Sequence, residues 1–169
     1  QRLQAYTSLN ELLVNEFSAL EIKFEQSTWD EKSQKEGKPI KRGVRLTDIE
    51  ALAPFHWGYE FDEVMNTHGG FDVVITNPPW DTFQRNGKEF FQGHSDLITK
   101  KKMTILDFEK EMNKLLLDVE IRKAWFDYEA TFSYQSHYFK TSHQYINQCG
   151  VVNGKKVYGD INLYKLFVE

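Results

Sequence analysis

Apolar residues in the first part of the chain recur at the spacing of a helix. Leucines and aromatic residues follow one another at intervals of three and four between Leu3 and Phe24, and glutamates lie between them. This spacing gathers the apolar side chains on one face and predicts an amphipathic helix over residues 3–25. Thr47, with Glu50 three residues later, indicates a capped helix over residues 47–53.

The later part of the chain shows a second long helical pattern and then weaker ones. Residues 132–148 are rich in aromatic and polar side chains and have no clear period. A hairpin is predicted over residues 151–159, and a last helix, capped by Asp160, over residues 161–169. A long helix is predicted over residues 104–130, whose apolar face consists of Ile105, Phe108, Met112, Leu115, Leu116 and Val119.

The centre of the chain has no helical period. Residues 54–64 read "PFHWGYEFDEV", an aromatic-rich run that indicates extended chain, and "NTHGG" at residues 66–70 predicts a turn. Residues 71–76 predict a buried strand, in which Asp72 is the only charged residue. The following residues 81–95 predict an irregular loop.

One segment is strongly basic. Residues 32–45 carry six basic residues against one acidic residue, and two glycines with Pro39 favour a loop there. Such a loop could contact phosphate groups of DNA, but a solvated surface is the more common role of a run of charges. The segment therefore suggests a DNA contact without requiring one.

Composition narrows the class of protein. The 169 residues suit one domain, and an aromatic content of 15% favours a packed body over disorder. The net charge of −4 argues against a protein that binds nucleic acid mainly through its charge. Cys149 is the single cysteine, so no internal disulfide can form, and we expect a cytoplasmic protein with no membrane partner.

The stretch "GGFDVVITNPPWDTF", residues 69–83, contains the residues that suggest a ligand-binding site. A strand in a parallel sheet delivers its last residues to the edge where ligands bind. Pro78 and Pro79 prevent the chain from continuing as a strand or a helix, and neither has a backbone N–H group. Nearby carbonyls therefore lack their usual partners and can point into a site. Asn77 adds a side-chain acceptor, and Trp80 adds an apolar ring. Together they suit a planar ligand with an exocyclic amine, such as a flipped-out base.

Asn77-Pro78-Pro79-Trp80 after an apolar strand resembles the catalytic motif of amino-group DNA methyltransferases. Its Asn form is similar to the adenine-specific enzymes. The segment at residues 54–83, with its Phe-His-Trp, Glu-Phe and Phe-Asp-Val elements, resembles that of large restriction–modification methylases. "GDINLYKLFVE" at residues 159–169 is similar to a helix that follows in the same family.

The resemblance implies transfer of a methyl group from S-adenosylmethionine to adenine N6 of double-stranded DNA, with the adenine flipped out. Asn77 would accept one amine hydrogen through its side chain, and Pro78 would accept the other through its backbone carbonyl. Trp80 would stack on the base, and Pro79 would hold the bend. A restriction endonuclease, fused or associated, is an expected partner.

One feature of that family is missing. The glycine-rich turn that binds S-adenosylmethionine does not occur in the sequence, and the glycine pair Gly69-Gly70 precedes the wrong strand. The cofactor-binding residues are therefore unknown. Because the chain begins with Gln1 and ends in "INLYKLFVE", we expect an internal piece of a catalytic domain that is inactive alone.

The expected fold is α/β, a partial Rossmann-like methyltransferase domain with helical flanks. Its four parts are a helical segment with the basic loop (1–53), the motif strand and loop (54–83), a mostly helical insertion (84–158) and the start of a helix (159–169).

Two other functions stay open. Protein-glutamine methyltransferases share an Asn-Pro-Pro-Tyr motif, and a helical interaction module could use Asn-Pro-Pro-Trp as a turn only. Catalysis by His56 is disfavoured, because aromatic residues beside a core strand usually pack. His137 and His143 have no clustered partners, so no metal site is predicted.

Overall fold

The computed structural model describes residues 2–100, 103–153 and 155–168. Helices and short hairpins alternate along the chain. The helices are α1 (Arg2–Ala19), α2 (Leu46–Leu52), α3 (Trp57–Glu60), α4 (Asp62–Thr67), α5 (Gly87–Gln92), α6 (Asp96–Lys100), α7 (Ile105–Leu115), α8 (Val119–Thr141) and α9 (Leu163–Val168), with a 3-10 helix at His143–Gln148. The strands are β1 (Lys23–Gln26), β2 (Trp29–Asp30), β3 (Lys35–Glu36), β4 (Ile40–Gly43), β5 (Cys149–Val152) and β6 (Lys155–Tyr158).

Helix α8 is the centre of the packing. Tyr134 and Tyr138 from its second half join one core, and Trp125 and Phe126 from its first half join another. Tyr138 stacks on Phe17 of α1, with ring centroids 4.6 Å apart. The first core contains Phe17, Ile22, Ile49, Tyr134 and Tyr138, and the second contains Phe91, Ile98, Leu116, Trp125 and Phe126.

The length of α8 corrects the predicted end of a helix at residue 130. Phe126, Ala130, Tyr134 and Tyr138 lie four residues apart and are all buried, so one apolar stripe continues to the end of the helix. The predicted helix over residues 104–130 is in fact two helices. Asp118 separates them, because its side chain accepts hydrogen bonds from two backbone amides at the start of α8.

The sequence predicts a loop over the basic segment at residues 32–45. This prediction is wrong, because the segment contains β3 and β4. Strand β4 pairs with β1 and β3 pairs with β2, both antiparallel. Aromatic side chains hold this region: the Arg42 guanidinium lies 3.8 Å from the centroid of Phe24, and Arg122 of α8 lies 4.5 Å from that of Trp29.

Several local predictions are confirmed and others are corrected. The first helix ends at Ala19, before β1 begins, and α2 begins at Leu46 with Arg45, not Thr47, as its N-cap. Likewise, α9 begins at Leu163, beyond the predicted cap. The hairpin after Cys149 is confirmed, with Asn153 at a φ of 53° in its turn.

Two predictions of irregular chain near the motif were also wrong. Residues 54–64 are not extended but enter α3 and α4, where Trp57 and Phe61 stack four residues apart with centroids at 5.4 Å. Residues 81–95 contain α5, which Asn86 caps by accepting from the backbone amide of Glu89.

The predicted strand over residues 71–76 does not form. These residues are exposed, and Ile75 is 92% exposed. A strand exists only when a neighbour takes up its backbone hydrogen bonds, and no described strand lies beside this segment. Each of the sheets in the described part of the chain is a two-stranded antiparallel pair. The architecture is thus mixed helix with small sheets, and the Rossmann-like arrangement stays a prediction.

Across the described residues, the structure contains no helix with both the length and the apolar character needed to cross a membrane.

Candidate functional site

The Asn-Pro-Pro-Trp motif lies on the surface, at the end of the exposed segment of residues 71–76. Gly69 and Gly70 open this segment with φ values of 78° and 125°, which an L side chain rarely adopts. The amide of Gly70 donates to the Val64 carbonyl at 3.0 Å and so closes the turn after α4. Asn77 and Pro79 are exposed, and Pro78 is half-buried.

Within the motif, Asn77 and Trp80 are in contact. The indole Nε1–H of Trp80 donates to Asn77 Oδ1 at 3.3 Å, at the long end of a hydrogen bond. The ring of Trp80 is 72% exposed. An acceptor and an aromatic ring therefore lie side by side on the surface. Asn77 Oδ1 has a second lone pair, so it can accept from a ligand amine while the indole N–H stays bound.

The chain that leaves the motif is fixed to the segment before α9. The Phe83 amide donates to the Ile161 carbonyl at 2.6 Å, and the Leu163 amide donates to the Asp81 carbonyl at 2.9 Å. Thr82 and Asn162 form an antiparallel bridge between these two hydrogen bonds. The two stretches that resemble a methylase in sequence are therefore paired through their backbones.

This pairing brings an aromatic residue to the motif that sequence reasoning did not select. Tyr164, in the first turn of α9, lies with its ring centroid 5.3 Å from that of Trp80, at an interplanar angle of 32°. The only signal for it in the sequence is the resemblance of "GDINLYKLFVE" to a methylase helix, which assigns Tyr164 no role.

A polar cavity of about 400 Å³ lies beside the same stretch, between residues 83–85 and α8. Arg85 forms an ion pair with Glu129 at its wall. Burial raises the pKa of the Glu129 carboxyl, and the charge of Arg85 opposes this shift. Phe83 stacks on Phe132, so the stretch after the motif is fixed to α8 as well as to α9.

His56 is held by packing, as expected of a structural residue. Its Nε2 lies 2.8 Å from Oδ1 of Asn10, which is fully buried, and its ring packs edge-on against Tyr6 at 5.2 Å. Burial lowers the pKa of His56, and the charge of Glu60 acts in the opposite direction. Through these contacts His56 bridges α1 and the start of α3.

Two of the six basic residues at 32–45 are paired within the protein. Lys41 Nζ lies 2.7 Å from Glu25 Oε1, and Arg42 binds both carboxylate oxygens of Asp48 at 2.6 and 2.8 Å. These two side chains are less available to DNA phosphates than the sequence alone indicates. A role of this segment in DNA binding stays a prediction.

No described residue is assigned to S-adenosylmethionine, because the glycine-rich turn that would bind it does not occur in the sequence. Gly69 and Gly70 take positive φ values at the entry to the motif, with open space around each. Among the residues described, no group of three or more His, Cys, Asp or Glu is arranged to hold a metal ion.

Comparison with known proteins places the chain among restriction–modification methylases. The family model of the Eco57I restriction-modification methylases matches residues 3–118. The match covers more than half of the 169 residues, so the chain belongs to this family. It includes the Asn-Pro-Pro-Trp motif, whereas α9 lies outside the matched range. Searches of curated proteins and of solved structures found no match.

Proposed function

We propose that this chain carries the target-base site of a DNA methyltransferase that modifies adenine at N6 in a restriction–modification system. The observation that carries the proposal is the contact between Asn77 and Trp80. An exposed side-chain acceptor and an exposed ring are adjacent in a member of a methylase family. Double-stranded DNA with a flipped adenine is the substrate that this pair suits.

The chemistry follows from what the motif offers to an amine. Asn77 Oδ1 accepts one amine hydrogen through its free lone pair, and the Pro78 carbonyl accepts the other. No donor to that carbonyl is present among the described residues. Two acceptors on the amine hydrogens weaken the conjugation of the nitrogen lone pair with the ring, so the lone pair localises on nitrogen and becomes a better nucleophile. Trp80 holds the base plane by stacking.

The methyl donor is not assigned to residues of this chain. S-adenosylmethionine is the donor implied by the sequence resemblance, but no described residues form a site for it. The proposed role of the chain is therefore the binding and activation of the base, and a fused or associated endonuclease stays a prediction.

The exposed segment before the motif supports a Rossmann-like sheet as the proposed fold of the complete domain. Residues Val73, Val74 and Ile75 are 72%, 66% and 92% exposed, which is unusual for three consecutive β-branched residues. Such residues are typical of a strand that is covered on both faces in a parallel sheet.

The test of the function uses the full-length protein that carries this sequence. It is incubated with isotope-labelled S-adenosylmethionine and unmethylated DNA, and the nucleosides are analysed by mass spectrometry. We expect labelled N6-methyladenine from the wild type, and a loss of about 100-fold or more in Asn77→Ala. Asn113→Ala, which changes an exposed asparagine on α7, is the matched control and should retain the wild-type rate.

Each other outcome rejects a specific part of the proposal. Labelled N4-methylcytosine would keep the amine chemistry and reject adenine. Label in a protein glutamine and none in DNA would favour the glutamine-methyltransferase alternative. An Asn77→Ala variant with the wild-type rate would mean that the motif is only a turn. This outcome would favour the alternative of a helical interaction module.

A further inference from the structure

The stacking residue of the motif is held from outside the motif. Trp80 is followed by two backbone hydrogen bonds to residues 161–163, which together form the Thr82–Asn162 bridge. Ile161, whose carbonyl accepts one of them, is 3% exposed and anchors the pairing in the protein. The chain on the other side of the motif, from Val73 to Ile75, is exposed. The position of Trp80 is thus set mainly from its downstream side.

The ring of Tyr164 completes this support. Its centroid lies 5.3 Å from that of Trp80 at 32°, within the range of favourable aromatic pairs. Because the Leu163 amide donates to the Asp81 carbonyl, the backbone at Tyr164 is held beside the chain that follows Trp80. The exposed indole therefore has a ring beside it that limits the directions in which its own ring can turn.

We propose that Tyr164 is a positioning residue, which holds the Trp80 ring at the angle needed to stack on the target base. The proposal rests on the proposed function, because it assigns Tyr164 to the same base-binding site. Tyr164 acts through Trp80 and touches no reacting atom. Its ring, and not its hydroxyl, carries the role, because the contact to Trp80 is between rings.

The first experiment tests the contact without any catalysis. The full-length protein is labelled with 5-fluorotryptophan, and the ¹⁹F resonance of Trp80 is identified by its loss in Trp80→Phe. Tyr164→Leu should shift and broaden this resonance, because the neighbouring ring current is lost and the indole gains freedom. Tyr164→Phe should leave the resonance close to its wild-type position. Phe167→Leu, an exposed aromatic residue of the same helix, is the matched control and should have no effect.

The second experiment measures the consequence for the base. DNA with 2-aminopurine at the target adenine reports flipping by its fluorescence, and single-turnover methylation gives the rate of transfer. Tyr164→Leu should lower the rate about tenfold, since stacking on a flipped base is worth that much or more. The dissociation constant for DNA should change less than threefold, because most contacts to DNA lie elsewhere. Tyr164→Phe should leave both the rate of transfer and the 2-aminopurine fluorescence close to their wild-type values.

The outcomes separate this proposal from the proposed function. A Trp80 resonance that does not respond to Tyr164→Leu overturns the positioning role, whatever the enzyme does. A response of the resonance with an unchanged rate and unchanged 2-aminopurine signal overturns it too. A wild-type protein that methylates no DNA overturns the proposed function, and the positioning of a base with it, while the ¹⁹F result still reports whether the rings touch.

Discussion

Apolar side chains are buried around α8 but exposed in the segment that carries the motif. Tyr134 of α8 is 2% exposed and contacts the rings of Phe17 and Phe24, whereas Ile75 before the motif is 92% exposed. Apolar side chains of the first region contribute free energy of folding by leaving water, and those of the second contribute almost none. The fold of this chain and its proposed chemistry therefore rest on different residues, and we expect that each can be changed with little effect on the other.

The largest expected effect of breaking the packed region comes from Tyr134→Ala. Tyr134 joins α1, β1 and α2 to α8, its hydroxyl reaches the Asp48 carbonyl at 3.3 Å, and burial raises its pKa to about 12. Removal of the ring should lower the free energy of unfolding by about 3–5 kcal/mol, from lost burial and a cavity. Urea denaturation of the 169-residue protein measures this value.

Phe167→Ala is the control for Tyr134→Ala, because it removes an aromatic ring that is 45% exposed. It should cost less than about 1 kcal/mol. Equal losses in the two variants would mean that α8 is not the centre of the packing.

The contrast between the two regions also explains what the sequence could predict. The helical spacing of α1, the turn at Asn153 and the acceptor and ring of the motif are local properties, and local patterns reveal them. The interval of four from Phe126 to Tyr138 was present as well, but polar residues between them obscured it. Contacts between residues that are far apart in the chain could not be predicted from these local patterns.

Two features near the motif show this limit. The β-branched residues at 73–76 predict a strand, but a strand also needs a neighbour, which composition cannot supply. Tyr164 reaches Trp80 only because residues 161–163 pair with residues 81–83. No spacing rule connects such distant positions, so the third residue of the candidate site had to come from the structure.

A smaller effect in the packed region is expected at the ion pair between Arg42 and Asp48. Burial raises the pKa of Asp48, but hydrogen bonds from Arg42 and the Arg45 amide outweigh it, and the pKa lies below its ordinary value. The unfolded chain therefore takes up this proton first as the pH falls. The stabilisation is complete above the unfolded-state pKa of about 3.9 and is lost as the pH falls through the folded-state pKa.

Asp48→Asn tests this ion pair. At pH 7 it should lower the free energy of unfolding by about 2 kcal/mol, the value of hydrogen bonds to a charged group. The difference from the wild type should shrink below about pH 4, where the wild type loses the same interaction. Glu25→Gln, which breaks the more exposed pair with Lys41, should cost less than about 0.5 kcal/mol at pH 7. If the difference in free energy of unfolding stays constant across the pH range, the titration of Asp48 is not the source of the predicted pH dependence.

The smallest expected effect lies in the exposed segment, and it depends on which protein is measured. In the 169-residue protein, Ile75→Asp should change the free energy of unfolding by less than about 0.5 kcal/mol, because the side chain leaves no contact behind. In the full-length protein, the proposed sheet would bury this position, and an unpaired carboxylate there should cost about 3 kcal/mol or more.

Ile105→Asp provides the matched control, because Ile105 is 78% exposed on α7, where no burial is proposed, and its cost should be small in both proteins. A large effect of Ile75→Asp in the full-length protein alone would mean that the segment before the motif becomes part of a core when the domain is complete. A small effect in both would leave residues 71–76 as a surface connection and remove the support for a Rossmann-like sheet. A large effect already in the 169-residue protein would break the contrast between the two regions, since the motif and the packed body would then share their stability.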